Sequence, residues 1–339
     1  MAKQNDKLPV KEDSKVVKFF KKNNIILILI LVYIAAALIA SPALLGGKTN
    51  TFLKPSNVSD LITRIGTYGI LAMGLTFVFL VGGIDLSIGY QVAFCAAMMA
   101  LMSSAGMNVW LAMVLTVAMG CCIGYINGII VTKLGIPSLI GTLAVMTILK
   151  GIVYIICTES IPMRGVTIGG QSLSNVYKLS GSPISLSVII LIVLTIIFSV
   201  FLHYTKTGSN LYVVGGNYEA ADLSGINPQR LTRLAFTLGG FCSGICALML
   251  SFRANAATYN IGDGIDITAI CAIVVGGVKM QGGRGNMAMC IMGVAVIQII
   301  TNVMDKLHYS TAVVSLVTGI VVIAVLILDR FTSAKDVTT

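Results

Sequence analysis

Long apolar runs alternate with short polar breaks along this chain, and the apolar runs dominate. Ten apolar segments stand out, at 25–45, 61–81, 90–107, 109–131, 138–157, 184–202, 234–252, 265–278, 287–304 and 312–328. About 20 apolar residues are needed to cross a bilayer core as a helix. The pattern predicts an all-α polytopic membrane protein with about ten transmembrane helices. Several segments are short, notably those within 82–107 and 265–286, so tilted, broken or re-entrant helices are expected there.

One polar interruption is much longer than the other breaks inside the apolar region's second half, HYTKTGSNLYVVGGNYEAADLSGINPQRLTR over 203–233. Asn217 is a good N-cap. Glu219 and Asp222 put negative charge near a helix N-terminus, where the dipole favours it. Gly225 suits the left-handed position after a helix, and Asn227-Pro228 forbids continuation. These signals predict one short helix over 217–225. A helix of two turns is marginal alone, since isolated helices need roughly 12–15 residues, so it is expected to dock on something.

Composition agrees with the membrane reading. The chain is 56% hydrophobic and 11% charged, with a mean hydropathy of +0.94, against about 25% charged in soluble domains. The net charge of +10 lies in tails and short loops, so it reads as topology and not as a nucleic-acid surface. With the N-terminus inside and ten crossings, the inside set holds 15 Lys and Arg and the outside loops hold 7. That bias follows the positive-inside rule. It divides the chain into a cytoplasmic tail over 1–24, a membrane domain over 25–328 with 203–233 as a cytoplasmic loop, and a cytoplasmic tail over 329–339. Both termini are expected in the cytoplasm.

The candidate chemistry is sparse. The eight cysteines show no zinc spacing and read as buried apolar residues. No metal site, catalytic constellation or phosphate-binding loop emerges. Asp85 and Asp266 sit where breakers meet apolar spans. A buried membrane charge is usually retained facing a cavity or a partner, so both are placed near a translocation path, with Ser87, Asn127 and Thr268 as uncharged hydrogen-bonding neighbours. The competing reading is that Asp85 caps the helix after it and shapes the breaker. Lys150 either pairs with a carboxylate or snorkels. Gly120, Gly124 and Gly128, with Gly240 and Gly244, have the small-xxx-small spacing of packing faces. Gly83-Ile84-Asp85 and Gly264-Ile265-Asp266 hint at an inverted repeat.

Three strings together carry a family resemblance. Glu219-Ala220-Ala221 followed by Gly225 resembles the EAA-x-x-x-G loop of ATP-binding-cassette importer permeases. Gly82-Gly83-Ile84-Asp85-Leu86-Ser87-Ile88-Gly89, and Val274-Val275-Gly276-Gly277 followed by Gly282-Gly283-Arg284-Gly285, resemble signatures of the simple-sugar group, of ribose and galactose type. The resemblance covers roughly 60–328. One departure is Gly264, where the family often carries a glutamate.

The resemblance implies an importer permease subunit of a prokaryotic cytoplasmic membrane, not an enzyme. Separate ATPase subunits carry ATP and magnesium and dock on Glu219, Ala220, Ala221 and Gly225. An extracytoplasmic binding protein delivers the sugar, and a second permease copy or a paralogue completes the pore. Two rival readings are an ion-coupled secondary transporter using Asp85, Lys150 and Asp266, and a permease of the same family for a nucleoside or another small polar solute.

Overall fold

The computed structural model describes residues 24–39, 52–163, 166–179, 182, 184–310, 312–321 and 323. Save for Asn24, the tails expected over 1–24 and 329–339 lie outside the described residues. Helices occupy every predicted apolar segment. In chain order they begin with α1 (Asn24–Ile39), α2 (Pro55–Leu80), α3 (Ile88–Ser104), α4 (Val109–Thr132) and α5 (Ser138–Ile156). A short α6 (Leu173–Lys178) precedes α7 (Leu186–Tyr204), α8 (Lys206–Gly216), α9 (Tyr218–Leu223) and α10 (Pro228–Ala254). The last are α11 (Ile265–Val275), α12 (Met287–Lys306) and α13 (Ala312–Val321).

Among the described residues, six helices are long and apolar enough to cross a membrane: α2, α4, α5, α7, α10 and α12. Two of them form the centre. The most apolar stretches of α2 and α10 are 78% and 72% buried, against 28% for α4, α5 and α7. The second group therefore turns a broad apolar surface outward, including Trp110, Val114, Ile148, Ile155, Ile192 and Ile196. Lipid tails are as apolar as those side chains, so helix association there rests on close packing and not on apolar burial. The glycine spacing supplies it. A Cβ added at Gly120 would lie 2.4 Å from the Gly240 carbonyl oxygen, and one at Gly124 would lie 2.2 Å from that of Phe236. α4 and α10 thus cross with backbone against backbone, as the spacing predicts.

The expectation of short or broken helices is met at α3 and α11. α11 has 11 residues and extends about 17 Å at about 1.5 Å per residue, against roughly 30 Å of hydrocarbon. The N-terminal ends of these two helices meet. A Cβ at Gly89 would be 2.9 Å from the Gly262 carbonyl oxygen and 3.2 Å from the Asp266 nitrogen. The Tyr90 hydroxyl also donates to Asp263. The two polar breakers therefore converge inside the fold, where irregular backbone is tolerated only within protein or along a cavity.

Straps tie one end of the bundle. β1 (Ile161–Pro162) pairs antiparallel with β4 (Ala256–Ala257), joining the segment after α5 to the segment after α10. β2 (Thr167–Ile168) and β3 (Gln171–Ser172) form a small hairpin leading into α6. Tyr177 of α6 is buried, and its hydroxyl lies 3.1 Å from Thr67 Oγ1 of α2.

Two local expectations are corrected. The 203–233 stretch holds more helix than the single turn pair predicted, because α8 fills 206–216 despite three glycines. Thr205 caps it, accepting from the Gly208 nitrogen at 3.0 Å. Gly208 and Gly215 lie where a Cβ would collide with backbone, so close approach outweighs helix propensity. Asn227-Pro228 also starts a helix as well as ending one. Asn227 accepts from the Arg230 nitrogen at 2.9 Å, and Pro228 occupies the first position of α10, where its missing N–H costs nothing. The two Gly-Ile-Asp strings differ in backbone. Gly264 takes a left-handed φ of 71° and Asp266 lies in the first turn of α11. In the other string it is the preceding Gly82 that is left-handed, and Asp85 stands ahead of α3.

Candidate functional site

The predicted coupling segment forms as its residues dictate. Asn217 Oδ1 accepts from the Ala220 nitrogen at 2.9 Å, opening α9. Gly225 closes the turn at φ 79°, with its nitrogen bonded to the Asp222 carbonyl and that of Ile226 to Ala221. α9 is only six residues long and is anchored by one of them. Ala221 is fully buried against the chain's own core, whereas Tyr218, Glu219, Ala220, Asp222 and Leu223 are exposed. Leu223 is 90% exposed. Of the pair expected to face a partner, Ala220 is available and Ala221 is not. Exposed Leu223 was missed, since a leucine at a helix end carries no signal of its direction.

α8, which leads into α9, is held at its end against the end of α2 and a distant glycine-rich turn. A Cβ at Gly215 would lie 1.8 Å from the Leu80 carbonyl oxygen and 2.6 Å from the Gly283 nitrogen. The Gly283 nitrogen donates to that same Leu80 oxygen at 3.0 Å, and the Tyr212 hydroxyl donates to the Gly285 carbonyl at 2.9 Å. The glycines of the third motif thus meet the chain just ahead of the other two motifs, at one junction. It joins the end of α2, the end of α8 and the turn between α11 and α12.

Three residues beyond Gly82, Asp85 is wholly buried at the head of a polar cluster. Its Oδ1 accepts from the Ser87 nitrogen at 2.8 Å and from Ser87 Oγ at 2.6 Å. Gln91 Nε2 donates to Asp85 Oδ2 at 3.0 Å and lies 2.7 Å from Ser87 Oγ. Asn127 Nδ2 reaches Ser87 Oγ at 2.8 Å, and Ser243 Oγ donates to Gln91 Oε1 at 3.2 Å. Asp85, Ser87 and Asn127 are therefore brought together as expected, with Gln91 and Ser243 added. Gln91 was legible in principle, one turn beyond Ser87 in an otherwise apolar run. Asp85 shapes the turn ahead of α3 without capping the helix, since Ser87 holds the N-cap position with no side-chain cap bond, and it does so inside a cross-helix network linking α3, α4 and α10. Asn127 Oδ1 is buried without a hydrogen-bond partner among the described residues.

Asp266 and Thr268 stand apart from that cluster. Asp266 is 6% exposed and touches Gly89, while Thr268 Oγ1 donates to the Gly264 carbonyl at 2.7 Å. Lys150 makes no ion pair among the described residues. Its ammonium stands over the rings of Tyr90 and Tyr154, 5.3 Å and 5.6 Å from their centroids, a cation–π arrangement. Six of the eight cysteines are buried, and no cluster of metal-binding residues occurs among the described residues.

This geometry stands beside clear likenesses to known proteins. The family described as branched-chain amino acid transport system / permease component matches residues 57–326. The chain belongs to that family. Ribose import permease protein RbsC of Bacillus subtilis is 34% identical over 84% of this chain and 88% of that protein. RbsC of Haemophilus influenzae is 29% identical over 88% and 93%. L-arabinose transport system permease protein AraH of Escherichia coli is 29% identical over 87% and 88%. No solved structure matches. As a member of this permease family, the chain is a multi-pass protein of the bacterial inner membrane, and its relatives are transport subunits and not enzymes.

Proposed function

We propose that the chain is the permease subunit of an importer for a simple sugar, driven by separate ATPase subunits that hold ATP and magnesium. The observation that carries this reading is the similarity, over most of both chains, to permeases named for ribose and arabinose import. The exposed α9 supports the partner role. Tyr218, Glu219, Ala220 and Leu223 offer the docking surface, Ala221 seats the helix, and Gly225 turns the chain away. An extracytoplasmic binding protein delivers sugar from the opposite side, and a second permease copy or a paralogue completes the path. Both termini and 203–233 face the cytoplasm, and the half-length α11 completes its crossing together with the irregular 255–264 segment. The buried Asp85 network holds the breaker beside the path in shape.

The test is reconstitution with a partner ATPase and binding protein from the same organism, followed by uptake of radiolabelled D-ribose, L-arabinose and D-galactose. Uptake of one sugar is expected to require ATP and binding protein and to survive ionophores. Uptake by the chain alone that stops with ionophores would replace this reading with ion-coupled transport.

A further inference from the structure

A second polar site lies away from the Asp85 network. Arg64 and Tyr68 of α2, Asp263 and Thr268 at the head of α11, and Gln298 and Asp305 of α12 surround a pocket of about 170 Å³. At about 30 Å³ per water molecule this holds five or six waters, the bulk of a small polyol or of one side of a sugar ring.

Its wall is fixed but incompletely satisfied. Asp305 holds Arg64 at 2.7 Å, and Asp60 holds it at 3.0 Å from the other side. Asp263 commits one oxygen to Tyr90. Asp263 and Asp305 each keep a second carboxylate oxygen without a hydrogen-bond partner among the described residues. Gln298 is 97% buried, yet its amide makes no hydrogen bond among the described residues and opens on this pocket. The Tyr68 hydroxyl is likewise without a partner among them. With no protein partner among the described residues, this amide and phenol pair with whatever fills the pocket, water or a polar ligand.

The chemistry of the lining selects the occupant. One aliphatic side chain, Ile265, takes part. A branched-chain amino acid needs an apolar wall for its side chain, and none is offered. Carboxylate acceptors, an amide that both donates and accepts, and Tyr68, which offers both a phenol and a ring face, match the hydroxyls and C–H face of a neutral sugar. We infer that this pocket is a subsite receiving one side of a monosaccharide ring, with Gln298 and Tyr68 as its hydrogen-bonding residues. The inference rests on the sugar-importer reading above and adds the place where the sugar rests.

The test uses the assembled importer in nanodiscs, with the two less-buried cysteines, Cys121 and Cys122, replaced by serine. Thr268→Cys puts a thiol on the pocket wall, and its reaction rate with a charged methanethiosulfonate is followed. D-ribose, L-arabinose and D-galactose are the probes, with L-leucine for comparison. One sugar is expected to slow labelling and leucine is not. Gln298→Leu and Tyr68→Phe should each weaken that protection about fivefold to tenfold, with the thermal midpoint unchanged. Undiminished protection in both variants overturns the inference, as does protection by leucine alone. Lost protection accompanied by lost thermal stability also overturns it, by making both residues structural. Sugar uptake by the unaltered importer is measured in parallel. If uptake occurs without protection, the subsite alone is wrong. If no sugar is taken up, the sugar-importer reading itself fails.

Discussion

Gly215→Ala is the sharpest perturbation of the glycine junction. The new Cβ would stand 1.8 Å from the Leu80 carbonyl oxygen, where distances below 3.0 Å are essentially never found. The end of α8 and the end of α2 must therefore part by at least about 1.2 Å, because neither obstacle is a side chain that can rotate away. Overpacking of this kind costs about 1–3 kcal/mol. The separation also strains the Gly283–Leu80 hydrogen bond, worth about 1 kcal/mol. Against this, alanine gains up to about 1 kcal/mol of helix propensity over glycine. The expected net loss is about 1–3 kcal/mol. Gly216→Ala is the control, since its Cβ would meet nothing within 4 Å at the same helix end. Thermal unfolding of the purified permease in detergent should show Gly215→Ala several degrees below Gly216→Ala, with reduced uptake after reconstitution. Equal midpoints for the two variants would refute the backbone contact and the argument built on it.

Other outcomes are expected on the same physical grounds. Leu223→Asp should lose co-purification with the ATPase subunit at unchanged thermal stability, because the side chain is 90% exposed; retained binding would remove α9 as the docking element. Ala221→Arg should instead lower stability, since the site is buried. Asp85→Asn should destabilise by about 1–3 kcal/mol, because both carboxylate oxygens accept hydrogen bonds and either amide orientation sets a donor against a donor; a neutral effect in thermal unfolding would contradict the network. A cysteine at Ser209 should react with an impermeant reagent only from the cytoplasmic side and one at Gln171 only from outside, both positions being accessible, and labelling of both from one face would defeat the proposed topology.

The helix content was legible because apolar length is a strong signal: each of the ten segments holds a helix. The α4–α10 contact was legible from glycine spacing for the same reason, since only close approach makes such spacing useful. α8 was not, because Gly208, Gly215 and Gly216 speak against helix unless the segments they touch are known. The Asp85 cluster was half legible. Ser87 and Asn127 were named as its neighbours, but Ser243 comes from a helix more than a hundred residues away and only the fold brings it in. The direction of Ala221 was invisible too, for a six-residue helix has too few turns to declare a buried face. Gln298 and Tyr68 drew no notice because an isolated amide or phenol in an apolar run gives no hint of a cavity.

The contact between Gly215, Leu80 and Gly283 also has a mechanical meaning. Side-chain interfaces carry slack, because a displaced rotamer absorbs a small push before the next element moves. Main chain resting on main chain has no such play. On the proposed docking role, a displacement delivered at α9 would reach the end of α2 with little loss, and Gly82, two residues past that end, begins the turn that presents Asp85. The junction behaves as a gear without backlash, in which tooth size is fixed by the absence of side chains. On that proposal, a fraction of an ångström at the docking face would re-aim the polar turn ahead of α3.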